Sequence, residues 1–310
     1  MAYELRDVAP GLWLWRVEHP DWRQRARARV AALERLRRAS CRPSRDRSLR
    51  HVLWIGGPPA SGKTTVATRL ARRHGLRWYG TDTRTWEHRE RAVQAGNPAA
   101  IRWEATRPEE RWTLPAADLL ELSLHRERGP MVVEDIRALP RSPLVVAEGS
   151  TIPAGAVHDR SRAVWLLPTP ELQRALLEEQ GVPHGARELA LVLAETIGRE
   201  ARERNLQIVL VDGSRGVGAT VAAVERLFAD ALSVGPRAET ATERRALLRE
   251  ANEAIVAQVR GYYARPWADG DPDEVRRSFL CECGDRGCEL SVDVRVGVAA
   301  AAPVLADAHG

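Results

Sequence analysis

HVLWIGGPPASGKTTVATRLARRHG, residues 51–75, is the stretch whose reading decides the fold. Val52 to Ile55 form a continuous apolar run, the pattern of a parallel strand buried on both faces. Beyond a glycine-rich turn, Val66, Ala67, Leu70 and Ala71 recur at helical spacing, and Gly75 stands where a helix C-cap belongs. Between strand and helix lies Gly57-x-x-x-x-Gly62-Lys63-Thr64, the phosphate-binding loop signature. Glycines at 56, 57 and 62 permit backbone angles that let successive N–H groups turn inward around a phosphate. The helix N-terminus adds unpaired donors and its positive dipole end. Lys63 is expected to reach the β- and γ-phosphates, and the Thr64 hydroxyl to ligate Mg²⁺. The candidate nucleotide-binding residues are therefore Gly57, Pro58, Pro59, Ala60, Ser61, Gly62, Lys63, Thr64 and Thr65. Of 47 Lys+Arg, Lys63 is the only lysine: an arginine-using chain keeps a compact ammonium at this one place.

The 310 residues leave room for one large domain or two modest ones, and 44% hydrophobic with 29% charged content suits a soluble globular protein. No apolar run approaches the ~18 residues of a membrane span. Residues 1–22 lack the basic start and apolar core of a secretory signal. Four cysteines are too few for a disulfide scaffold at this size, so a cytoplasmic location is expected. The net charge of +5 is uneven: Arg23 to Arg50 hold eleven arginines against Glu34 and Asp46, a local +9 that leaves the remainder at −4. The basic balance thus belongs to one segment, and nucleic acid is not the favoured partner of the whole chain.

Three regions follow: an extension and linker over 1–50, a nucleotide-binding domain over 51–235, and a helix with a small cysteine module over 236–310. The opening VAPGLWLWRVEHPDW resembles the start of some metallo-β-lactamase-fold proteins over about twenty residues. The HxHxDH metal cluster of that fold is absent downstream, so no metallohydrolase function comes with it. Arg23 to Arg38 has a helical pattern with an arginine-covered face, read first as a solvated leader.

After the loop, a strand near 76–80 ends close to Asp82, at the carboxyl end where such sheets bind ligands. Asp82 is expected to orient or deprotonate an acceptor hydroxyl or to hold Mg²⁺ through water, with capping of the next helix as the plainer alternative. Arg84, His88 and Arg89 are nearby candidates for gripping an anionic substrate. Residues 97–125, punctuated by three prolines, predict short helices on the substrate side. Leu144 to Gly149 predicts a buried strand ending in Glu148, the second acidic residue of the Mg²⁺ shell. Glu134 and Asp135 compete for that role at the end of an apolar run, 131–135, read as a sixth strand. Strands near 163–167 and 207–211 complete five, and Ser214 to Gly218 is a loop suited to border an adenine. The fold class expected is α/β, a three-layer sandwich around a mostly parallel five-stranded sheet. Glu171 to Arg204 predicts helices broken near Gly181 to Gly185. Arg174 and Arg187 there are candidate catalytic lid arginines, with Arg199, Arg202 and Arg204 also in the segment.

Together GGPPASGKTT, Asp82, Glu148, the arginine-bearing segment and VDGS resemble the nucleoside-monophosphate-kinase-like branch of P-loop proteins, over about 51–232. Shikimate, gluconate and chloramphenicol kinases or phosphotransferases belong to it. The resemblance implies ATP and Mg²⁺ as cofactors, phosphate and metal roles for Lys63 and Thr64, and an acceptor-side role for Asp82. No acceptor-binding motif of those kinases is recognisable.

Beyond a boundary at Gly235-Pro236, a helix is predicted from Glu239 to Tyr263. Cys281-x-Cys283-x4-Cys288 follows, and it resembles a C-terminal module, FxCECGDxxC, of uncharacterised bacterial proteins. With His309 near the end, Cys281, Cys283, Cys288 and His309 form a candidate Zn²⁺ set, redox thiols and inert cysteines being the alternatives. The alanine-rich stretch from Gly297 onward reads as disordered. The function expected is an ATP-dependent small-molecule kinase with an unidentified acceptor; the alternative is a regulatory nucleotide-hydrolysing switch with nucleic-acid or protein partners.

Overall fold

The computed structural model describes the backbone of residues 3–9 and 12–17, and residues 49–309 in full. Contacts divide the chain into two units, 1–47 and 48–310. In the first, β1 (Tyr3–Ala9) and β2 (Leu12–Val17) pair antiparallel, with a register shift between Asp7 and Ala9. The helix expected over 23–38 lies outside the described residues.

The second unit is built on five parallel strands: β3 (Val52–Gly56), β4 (Arg77–Gly80), β5 (Val145–Gly149), β6 (Ala163–Pro168) and β7 (Gln207–Val211), in the order β4-β5-β3-β6-β7. The apolar runs are continuous because both faces are covered, and successive side chains go to opposite cores. Val52, Trp54, Val145, Ala147 and Trp165 enter one core with Leu189, Leu193 and Ile197 of α8 (His184–Glu203). Leu53, Ile55, Val146, Val164 and Leu166 enter the other with Val66 and Leu70 of α1 (Lys63–His74) and Val221 and Val224 of α9 (Val217–Leu227). Helices on both faces make three layers.

Between β4 and β5 run α2 (Thr85–Gln94), α3 (Pro98–Ala105), α4 (Pro108–Arg111), α5 (Ala116–Leu122) and α6 (His125–Ala138). The apolar run at 131–135 is thus helix, not a sixth strand. Val132 and Ile136, four apart on one helical face, are both buried, whereas Glu134 lies on an exposed side. After β6 come α7 (Pro170–Glu179) and α8, with the expected break between them. The helical segment after β7 divides at Phe228 into α9 and α10 (Ala229–Val234).

The chain beyond Gly235 is part of the same unit. The Ala238 amide donates to the Gly75 carbonyl at 2.7 Å, and the Leu144 amide to that of Pro236 at 2.8 Å. A reciprocal capping box between Thr240 and Glu243 starts α11 (Ala241–Tyr263), which packs on β4. Antiparallel β8 (Arg276–Leu280) and β9 (Ser291–Arg295) flank the cysteines. The stretch expected to be disordered contains α12 (Val296–Ala301), and Val304 is buried, its carbonyl accepting from the Glu282 amide.

Candidate functional site

The connections turn one way after β3, toward β5 and the edge strand β4, and the other way after β6. The loop that follows β3 therefore sits at a topological switch point, the crevice where open parallel sheets take ligands. Its conformation demands glycine at 57: φ is +152°, and a Cβ there would overlap the Leu166 carbonyl oxygen. Gly62 is left-handed, φ +76°, immediately before the first turn of α1. Gln173 of α7 pins the loop by donating to the Pro59 carbonyl at 2.9 Å.

Lys63 is 5% exposed and donates to the Pro58 carbonyl at 3.3 Å, so its ammonium folds back over the loop. The neighbouring Thr64 hydroxyl lies 3.1 Å from Glu148 Oε1. Register explains that pairing, since Ile55 stands opposite Glu148 and Gly80 stands opposite it on the other side. Burial, offset in part by Lys63, pushes the Glu148 carboxyl up to about 7; the Asp82 charge adds to the rise. Among the described residues, Glu148 Oε2, Ser61 Oγ and Thr81 Oγ1 are buried without hydrogen-bond partners. Orphaned acceptors and hydroxyls around one loop are a donor set suited to a hydrated divalent cation and phosphate oxygens.

Asp82 stands at the carboxyl end of β4, exposed, within electrostatic reach of Glu148 and Arg128. It does not cap α2, whose N-cap is Arg84 and carries no side-chain cap bond. The three basic residues after it are engaged elsewhere. Arg84 pairs with Glu87 at 3.2 Å, and His88 Nε2 lies 2.8 Å from Asp135 Oδ2. Arg89 is buried under Trp103 and donates to the Leu122 carbonyl, burial bringing its guanidinium down to about 9.

Asp135 is engaged by neighbouring side chains away from the loop. Burial is outweighed by hydrogen bonds from His88 and the Tyr79 hydroxyl and by Arg91, which hold its carboxyl below the usual range. Glu134 pairs with Arg91 on the surface. Of the lid candidates, Arg174 is exposed on a cleft that also touches Pro58 and Arg202, whereas Arg187 pairs with Glu178 and Arg199 with Glu203. Arg204 approaches Gly155, away from the loop. The Asp212–Ser214 turn is exposed and closed on itself by the Ser214 hydroxyl.

Sequence reading missed Arg128 and Thr81. Arg128, 5% exposed, donates to the Thr81 carbonyl at 2.6 Å and so fixes the turn that presents Asp82. A buried arginine on a helix has no sequence signature in a chain this rich in arginine.

The second constellation is the cysteine cluster. One ligand atom from each of Cys281, Cys283, Cys288 and His309 lies within 4.8 Å of all the others, a set that can hold a metal ion. Burial alone would raise the Cys281 thiol, but bonds from the Ala306 amide and His309 bring it down to about 7; burial pushes Cys283 up to about 11. The knuckle is fastened from two helices. Arg72 of α1 donates to the Cys281 carbonyl at 2.8 Å, and Arg245 and Arg244 of α11 donate to those of Cys283 and Gly284. Asn252 grips the buried Glu282 at 2.7 Å.

No family model matches the chain, and no curated protein or solved structure matches it.

Proposed function

We propose that the chain is a small-molecule kinase of the P-loop class that transfers the γ-phosphoryl group of ATP to an acceptor hydroxyl. The observation that carries this reading is the convergence of Lys63, Thr64 and Glu148 on one glycine-rich loop at the switch point of a parallel sheet. Loop amides and the start of α1 would hold the β-phosphate, and Lys63 would swing from Pro58 to the β- and γ-oxygens. Thr64 and Glu148 would hold Mg²⁺, which neutralises phosphate charge when bound. Asp82, exposed and unencumbered at the end of β4, would receive or orient the acceptor proton. Arg174 is the lid arginine best placed to approach the nucleotide, since its cleft reaches Pro58. The cysteine cluster we assign to structural Zn²⁺, because three thiols and an imidazole suit that ion.

Lys63→Ala tests the reading. Nucleotide binding followed by calorimetry is expected to fall at least tenfold, with ATP consumption in the presence of a metabolite panel abolished. Unchanged consumption would refute the assignment. Stimulation by DNA or RNA alone, steeply weakened by salt, would favour the regulatory switch.

A further inference from the structure

The connection from β5 to β6, residues 150–162, crosses one face of the sheet without an α-helix, and Ile152 and Ala154 anchor it to the core there. A cavity of about 380 Å³ lies between this connection, the start of α6 and the end of α8. That volume is within the range of small-ligand sites. His125 and Arg126 line it from α6, Thr151 and Gly155 from the connection, and Glu200 and Arg204 from the end of α8. Lys63, Thr64, Asp82 and Glu148 do not line it, so its occupant is not the group that meets a γ-phosphate.

Two lining groups are buried with nothing to bond. Thr151 is 4% exposed and its hydroxyl has no hydrogen-bond partner; neither has Nδ1 of His125. Burial, with Arg128 and Arg126 beside it, brings the His125 imidazole down to about 4. At neutral pH the ring is therefore uncharged, one nitrogen a donor and the other an acceptor. A hydroxyl and a ring nitrogen kept from water without partners are costly until a ligand satisfies them.

The charges around the cavity are open as well. Glu203 is matched by Arg199 at 4.0 Å, but Glu200 and Arg204 form no ion pair with each other or with another described residue. Gly155 lets the Arg204 guanidinium lie against the connection, since a Cβ there would come within 3.3 Å of Nη2. Arg126 adds a second guanidinium at the start of α6. An acid and a base that share a cavity without pairing are matched together by a ligand that carries both charges, its carboxylate on guanidinium and its ammonium on carboxylate.

We propose that this cavity binds a small zwitterion of the α-amino acid class. The ligand carboxylate meets Arg204 and Arg126, its ammonium meets Glu200, and the Thr151 hydroxyl and His125 Nδ1 take the remaining polar contacts. The site is independent of the kinase reading, because it shares no residue with the glycine-rich loop.

Each of the twenty common L-α-amino acids is titrated singly into the full chain by calorimetry. The controls are the amine and the carboxylic acid that lack one charged end of the tightest binder. The expected result is binding of at least one amino acid at one per chain, with both controls tenfold or more weaker. Arg204→Gln and Glu200→Gln should each lower the affinity at least tenfold while leaving the ligand-free thermal midpoint unchanged. Gly155→Trp blocks the cavity from an exposed position whose nearest neighbour is the Arg204 side chain, and should abolish binding by a separate route. No binding by any of the twenty would overturn the proposal, as would binding that survives all three substitutions. A carboxylic acid control as tight as the amino acid would overturn the zwitterion class and leave a plain anion site.

Discussion

Glu148 is a carboxylate in a place that penalises its charge. Its folded pKa of about 7, against 4.5 for the free group, means that between those values the folded protein keeps a proton that the unfolded chain has lost. Its favourable contribution is complete below pH 4.5 and disappears as pH rises through 7, a span of about 3 kcal/mol. Glu148→Gln should therefore match wild type near pH 4 and exceed it in urea midpoint at pH 8 in the nucleotide-free protein. With Mg²⁺ and ATP the order should invert, because cation binding favours the carboxylate; wild-type affinity should tighten from pH 6 to pH 8 and that of Glu148→Gln should stay flat. Lys63 was legible in the sequence because it stands at a fixed place in the glycine-rich loop signature, and the position of Glu148 because it ends a continuous apolar run. Asp135 was not: what distinguishes it, contact with Tyr79, His88 and Arg91, depends on helices meeting an edge strand across more than forty residues.

At the scale of elements, two junctions set the site. The bend at Gly57 lets the chain leave β3 under β6, and its replacement by alanine combines an unfavourable φ with backbone overlap at Leu166. Gly57→Ala is expected to lose about 1–3 kcal/mol of stability by urea denaturation and to weaken nucleotide binding in parallel. The Thr240–Glu243 capping box begins the helix that carries Arg244, Arg245, Arg249 and Asn252 to the cysteine knuckle. Thr240→Ala should cost about 1 kcal/mol by the same measurement, with nucleotide affinity retained. Helical spacing with Gly75 as a C-cap announced α1 from the sequence, and a helical pattern alone announced α11. The misread element, α6, holds a run of valines, isoleucine and methionine too short for periodicity to separate strand from buried helix, and Pro130 inside the helix deepened the ambiguity.

Across the whole of residues 48–310, the cysteine cluster and the glycine-rich loop belong to one compact unit. Cys281 is bonded through its carbonyl to Arg72, nine residues along the same helix from Lys63, and Glu289 pairs with Arg69 and Arg73 of that helix. The sequence displayed the four candidate ligands but not this fastening, which depends on arginines indistinguishable by type from those on solvent faces. Because the ligands span Cys281 to His309, a bound ion would close both the knuckle and the tail that covers it. Binding at a thousandfold excess over Kd adds about 4 kcal/mol to the folded state. For a unit of this size each kcal/mol is worth roughly 2–4 °C in Tm. Calorimetry with Zn²⁺ and with a chelator should therefore show one transition displaced upward by about 8–16 °C, with one ion per chain. Cys288→Ser should abolish most of that difference. A shift confined to a small separate transition would instead mean that the module unfolds on its own, and that the arginine contacts to α1 do not couple the two sites.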